Sequence, residues 1–159
     1  MGWHEDLSEY NSLDAWITKP AKAVGWLSVN KAFARGALDE VVLRELTNLV
    51  QDAWSPVHTP GIHRCELCRF RVIPILTRVF GIRDRAVSSG LFIIPGDSCV
   101  YVSPQGILHY VREHGYLPPE EFCNAVLRCP PMRSADYYRA IGVENVMCAM
   151  KIEVDMLRT

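Results

Sequence analysis

The stretch Gly61-Ile-His-Arg-Cys-Glu-Leu-Cys-Arg-Phe70, "GIHRCELCRF", decides how this chain is read. It sets His63, Cys65 and Cys68 within six positions, between a Pro60-Gly61 turn and an arginine-rich run. Three chemistries fit such a cluster: a redox dithiol, two buried structural thiols, or part of a metal site. A redox Cys-x-x-Cys opens a helix directly after a buried strand, where the helix end lowers the first thiol's pKa. Here a proline-rich loop precedes the pair and a β-type run follows, so that context is missing. Buried thiols are common, yet the histidine and the glycine turn beside them are unexplained by packing alone.

The metal reading needs further ligands. Tetrahedral zinc takes thiolates and imidazoles, with Cys-x2-4-Cys and His-x3-5-His as recurring spacings. Downstream, "HYVREH" supplies His109 and His114. On a straight helix these two lie about 140° apart; His114 shares a face with Ile107 and Val111, and His109 does not. Both reach one ion only if the last turn before Gly115 is loosened. A rival set uses His63, because residues i and i+2 of an extended segment point the same way. The preferred set is therefore His63, Cys65, Cys68 and His109 on Zn2+, with His114 as the substitute fourth ligand. His4 and His58 are weaker candidates. Four protein ligands mean a structural ion, and three plus water mean a catalytic one. In the catalytic case Glu120 or Glu121 is a candidate general base; their simpler role is as acids at a helix start. The zinc deaminase signature needs His-x-Glu, and Cys65 occupies that glutamate position, so that class is excluded.

Working outward, the 159 residues are read as one domain. The composition, 49% hydrophobic and 22% charged, is that of an ordinary globular chain. A net charge of −1 gives no general attraction to nucleic acid or anionic membrane. No apolar run approaches the roughly 18 residues that a membrane span needs, and the acidic start "MGWHEDLSEY" does not resemble a secretion signal. The six cysteines are accordingly expected as reduced thiols in a cytoplasmic setting. Arg64, Arg69, Arg71, Arg78, Arg83 and Arg85 crowd the segment 64–85 against only Glu66 and Asp84, which makes a nucleic-acid binder one alternative function.

The rest of the pattern gives the fold class. "GALDEVVLRELTNLVQDAW" carries Val42, Leu46, Leu49, Val50 and Ala53 as one apolar stripe and predicts a helix. Residues 23–27 and 70–80 read as strands, the second with Pro74 marking an edge or bulge. Residues 90–104 read as a hairpin around Pro95-Gly96-Asp97. Three helices follow: one capped by Ser103 with Pro104 at its first position and closed by Gly115, one from Pro119 to before Pro130, and one from Ser134 to Gly142. The tail 130–159 reads as a helical C-terminal extension, with Val146, Met147, Met150, Val154 and Leu157 near helical spacing. The expectation is an α+β single domain (1–159): a small antiparallel or mixed sheet flanked by several helices and stapled by zinc.

The ordered set "EDLSEY", "AVGWL", "GIHRCELC" and "YVSPQGILHYVREHGYLPPEEFCNAV" resembles a family of small bacterial domains of unknown function. That family has a Gly-x-His-x-Cys-x-x-Cys centre and a His-Tyr to Pro-Pro-x-Glu-Phe segment. The likeness covers 5–126, with Ser103-Pro104 standing where the family has Ala-Pro. It implies that His63, Cys65, Cys68, His109 and His114 belong to one pattern, and it implies no activity. The expected role is a protein-interaction or regulatory module, with the tail available to pack on a second copy; the other alternative is a zinc-dependent hydrolase with an open coordination position.

Overall fold

A computed structural model describes residues 2–13, 16–56, 63–68, 86–87 and 90–143. The strand expected at 70–80, the helix expected in the tail, His58 and Arg69–Arg85 lie outside the described residues.

The centre of the fold is a three-stranded mixed sheet of β1 (Ala21–Ala23), β4 (Leu91–Pro95) and β5 (Val100–Pro104), in the order β1-β5-β4. The expected hairpin forms: β4 and β5 are antiparallel, with Ile93 opposite Val102. β1 runs parallel to β5, with Ala21 opposite Val100 and Ala23 opposite Val102. Every residue of β5 is buried, as expected of a strand paired on both edges and covered on both faces. A two-stranded ribbon of β2 (His63–Arg64) and β3 (Ala86–Val87) is separate from this sheet.

The strand expected at 23–27 is displaced toward the N-terminus. At Gly25 the backbone turns to a φ of 77° and ends the strand, a conformation that glycine adopts without steric cost. A Cβ there would stand 3.1 Å from the Ile107 side chain, so the turn also permits close approach of the helix that follows β5.

Helix α1 (Glu40–Gln51) forms where the stripe predicts it, with Val42, Leu46 and Leu49 buried. Asp39 caps it, its carboxylate accepting from the N–H groups of Val41 and Val42 at 2.8 and 3.3 Å. Helix α2 is Ile107–His114, with Gly106 as its N-cap. This corrects the expected cap at Ser103: Ser103 and Pro104 are the last residues of β5, held extended by pairing with Phe92 and Leu91. Tertiary pairing overrides the local Ser-Pro signal, and only Gln105 and Gly106 separate strand from helix. Helix α3 (Glu120–Arg128) starts after Pro119, and α4 (Ala135–Ile141) starts at Ser134, whose side chain accepts the Tyr137 N–H. Gly115 and Gly142, at φ 61° and 82°, close α2 and α4 in the left-handed conformation.

Helices α3 and α4 pack on β4, and α3 also contacts α1. Phe122 meets Phe92 and Tyr101 edge-on, and the Tyr137 hydroxyl donates to the Ile93 carbonyl at 2.9 Å. The N-terminal segment lies along β1: Leu7 and Tyr10 N–H groups donate to the carbonyls of Ala23 and Ala21 at 2.7 and 2.8 Å. No helix among the described residues is long and apolar enough to cross a membrane.

Candidate metal centre

Two chain segments some forty residues apart build the site. The first is the turn that follows β2. Cys65 leaves the strand, Glu66 and Leu67 form a turn, and Cys68 follows it. The backbone N–H groups of Leu67 and Cys68 point at the Cys65 sulfur; such donors favour a thiolate. Leu67 and Cys68 pack against the hydrophobic core. Glu66 accepts a 3.0 Å hydrogen bond from the Ser28 hydroxyl, which ties the turn to the loop after β1.

The second segment is α2. Its position follows from the sheet, because two residues after β5 the chain is already helical. Ile107 and Tyr110 bury one face of α2. The other edge presents His109 and His114, both half-buried. Gly115 then ends the helix, and the N–H groups of Gly115 and Tyr116 both return to the Tyr110 carbonyl. Arg35 donates to the His114 carbonyl at 3.3 Å, and the backbone of 34–36 pairs with 115–117. These contacts satisfy the exposed carbonyl end of α2.

The four side chains converge. Cys65 Sγ lies 3.2 Å from His114 Nε2, and Cys68 Sγ lies 3.3 Å from His109 Nε2 and 3.5 Å from His114 Nε2. The two Nε2 atoms are 3.3 Å apart. All four ligand atoms fall within 4.8 Å of one another. This arrangement encloses one point that faces two sulfurs and two imidazole nitrogens, so it is compatible with a metal ion. Among the described residues it is the group of His, Cys, Asp and Glu side chains so placed.

The sequence allowed both histidines to reach one ion only through a loosened last turn; α2 is helical to His114, and the two Nε2 atoms still come within 3.3 Å of each other. The 140° separation about the axis is bridged by reach: both rings turn their Nε2, the ring atom far from the backbone, toward the shared point. The rings are 5.1 Å apart and inclined at 75°. His63 begins β2, two residues before Cys65, and its side chain is outside the described residues. The cluster of Cys65, Cys68, His109 and His114 is a full set of four without it.

The electrostatics suit a cation. Burial pushes the Cys65 thiol up to about 11, so a cation that displaces its proton gains a strong ligand. Burial, and then the neighbouring His109 ring, hold His114 below its ordinary value; a neutral ring is the form that can coordinate. Tyr110, almost fully buried beside both histidines, has its hydroxyl pushed up by burial and then by the nearby Cys65.

Other sequence candidates stand elsewhere. His4 packs against Tyr10 and Trp26, with ring centroids 5.3 and 5.2 Å away. Glu121 is engaged by Lys22 at 3.4 Å and by the Tyr101 hydroxyl at 3.2 Å, where it lines a polar cleft of about 360 Å³ that none of the four Cys and His residues lines. The supporting groups Arg35, Ser28 and Asp6 had no signal in the spacing. Asp6 accepts the Gly25 N–H and the Tyr116 hydroxyl, each at 2.9 Å, and so braces the chain two residues beyond His114.

The chain belongs to the family described as "Domain of unknown function (DUF7919)", which matches residues 2–127. That span contains all four clustered residues and is consistent with the small domain of unknown function expected above. No curated protein and no solved structure matches the chain.

Proposed function

We propose that this member of the DUF7919 family holds one Zn2+ through Cys65, Cys68, His109 and His114, and that the ion is a structural staple of a protein-interaction or regulatory module. The observation that carries the reading is the set of spacings between ligand atoms. With Zn–S near 2.3 Å and Zn–N near 2.05 Å, a tetrahedron has N···N edges of about 3.3 Å and S···N edges of about 3.6 Å. The N···N spacing is 3.3 Å, three of the four S···N spacings are 3.2, 3.3 and 3.5 Å, and all four ligand atoms lie within 4.8 Å of one another. Two thiolates and two imidazoles select zinc over hard cations, which take oxygen ligands.

Four protein ligands leave no position for water, so this reading favours a structural ion over a hydrolytic one. The engagement of Glu121 by Lys22 and Tyr101 is in keeping with that. The ion joins the β2 turn to the end of α2, and its binding energy is folding energy. A module of this kind presents a fixed surface to a protein partner inside a reducing compartment, where its thiols persist.

Elemental analysis of protein purified under reducing conditions tests the reading. One zinc per chain is expected, and Co2+ substitution should give the intense visible bands of a tetrahedral thiolate site. A protein without stoichiometric zinc, or a cobalt spectrum of six-coordinate type, contradicts it. An exchangeable water on the metal would favour the hydrolase instead.

A further inference from the structure

We infer that the zinc site is also a redox switch, in which oxidation of Cys65 and Cys68 to a disulfide expels the ion and frees the β2 turn from α2; this rests on the zinc reading above. Three observations lead to it. First, both sulfur ligands come from one Cys-x-x-Cys turn, and their Sγ atoms lie within 4.8 Å of each other. A single cross-link of about 2.05 Å between them removes half of the ligand set at once.

Second, the two sulfurs are not equally accessible. Cys65 is 8% exposed and its sulfur faces the N–H groups of Leu67 and Cys68. Cys68 is half-buried, so an oxidant meets Cys68 first. Third, the metal site spans two separate elements, the ribbon that carries the turn and helix α2. β2 and β3 pair with each other in a sheet of their own, and neither forms an extensive contact with another described element. Among the described residues, the turn is held by the packing of Cys65, Leu67 and Cys68 and by the Ser28–Glu66 hydrogen bond, and the ion would add a direct link to α2.

The chemistry balances with a peroxide as oxidant. The Cys68 thiolate attacks one peroxide oxygen; an S–O bond forms, the O–O bond breaks, and the departing hydroxide takes a proton to become water. The Cys65 thiolate then attacks the Cys68 sulfenic sulfur. The S–S bond forms, the S–O bond breaks, and the second hydroxide leaves as water after taking a proton. The two sulfurs lose two electrons, the peroxide gains them, and Zn2+ departs unreduced. A thiol reductant and added zinc reverse the process.

The test uses the full, zinc-loaded chain treated with hydrogen peroxide. Released zinc is followed with a chromogenic chelator, and the cysteines are mapped by alkylation and mass spectrometry. The expected result is loss of one zinc per chain together with a Cys65–Cys68 disulfide, and recovery of the ion after dithiothreitol and zinc are added. The Cys68→His variant keeps four ligands and only the buried sulfur; once it folds and loads zinc, it should retain its ion at peroxide levels that empty the unsubstituted protein. Retention of zinc by the unsubstituted protein at peroxide levels that oxidise its other cysteines overturns the switch. So does release with Cys65 and Cys68 still alkylatable. Failure to load zinc at the outset would instead overturn the zinc reading, and with it this proposal.

Discussion

At the scale of single residues, the account stands on four atoms. Replacing Cys65 or Cys68 with serine removes a soft ligand and leaves a poor one, and the turn and α2 lose their joint anchor. Either variant should bind zinc far more weakly and melt at least about 10 °C lower, measured by thermal unfolding with and without added zinc. A Cys65→Ser protein with an unchanged melting temperature and no metal would show that the ion does not hold the fold. Proton linkage gives a second check. Burial keeps the Cys65 thiol protonated at neutral pH, with its value up to about 11. A cation must displace that proton, so binding releases protons and affinity falls as pH falls. Calorimetry of zinc binding in buffers of different ionisation enthalpy should report release of at least one proton per ion at pH 7. Affinity that is flat from pH 8 to 6 would contradict a thiolate site.

Asp6 is the other residue whose removal should be felt. Its carboxylate accepts from the buried Tyr116 hydroxyl and the Gly25 N–H. Asp6→Ala leaves both donors without that acceptor and should cost about 2–3 kcal/mol in denaturant unfolding. A loss below about 0.5 kcal/mol would mean that water replaces the carboxylate. The Cys-x-x-Cys turn was legible in the sequence because two thiols and a histidine stand so close together; His114 entered only as a substitute for the set with His63, because helical periodicity sets it about 140° from His109. Asp6 and Arg35 were not legible, because their contacts lie far away in sequence and depend on where β1 and α2 end up.

At the scale of elements, legibility followed the length and regularity of the local pattern. Helix α1 is a strong case: twelve residues with one apolar stripe and an aspartate cap fold as the pattern reads. Leu46, fully buried at the centre of the stripe, should cost about 2–5 kcal/mol when replaced by alanine, read as a shift in the urea midpoint. The start of α2 was misread because Ser103-Pro104 is a good local cap, whereas pairing with Phe92 and Leu91 of β4 keeps both residues extended. The end of α2 was read correctly from Gly115. That glycine's φ of 61° closes the helix immediately after His114. Gly115→Ala meets no neighbouring atom, so its cost is backbone strain of about 1 kcal/mol, accompanied by weaker zinc binding as His114 shifts. Unchanged affinity with lowered stability would separate the cap from the site.

At the scale of the whole molecule, a β1-β5-β4 sheet covered by α3 and α4 carries its own core. Among the described residues, the β2 turn meets it through Cys65, Leu67 and Cys68, through the Ser28–Glu66 hydrogen bond and through the clustered cysteines and histidines. The α+β class was legible from the alternation of a striped helix, a hairpin and three capped helices. The parallel pairing of β1 with β5 was not, because a three-residue strand has too little pattern to declare its partner. Removing zinc with a chelator should therefore act unevenly. Hydrogen exchange should quicken at 63–68 and at the end of α2, while β4 and β5 keep their protection. Uniform loss across the chain would mean that the sheet core depends on the ion as well.

The central claim is that one cation is gripped by two sulfurs and two imidazoles drawn from distant parts of the chain. X-ray absorption at the zinc edge measures this directly. The expected spectrum has two sulfur neighbours at about 2.3 Å and two nitrogen neighbours at about 2.0–2.1 Å, with the multiple-scattering signature of imidazole. A shell of five or six oxygens and nitrogens without sulfur would contradict it.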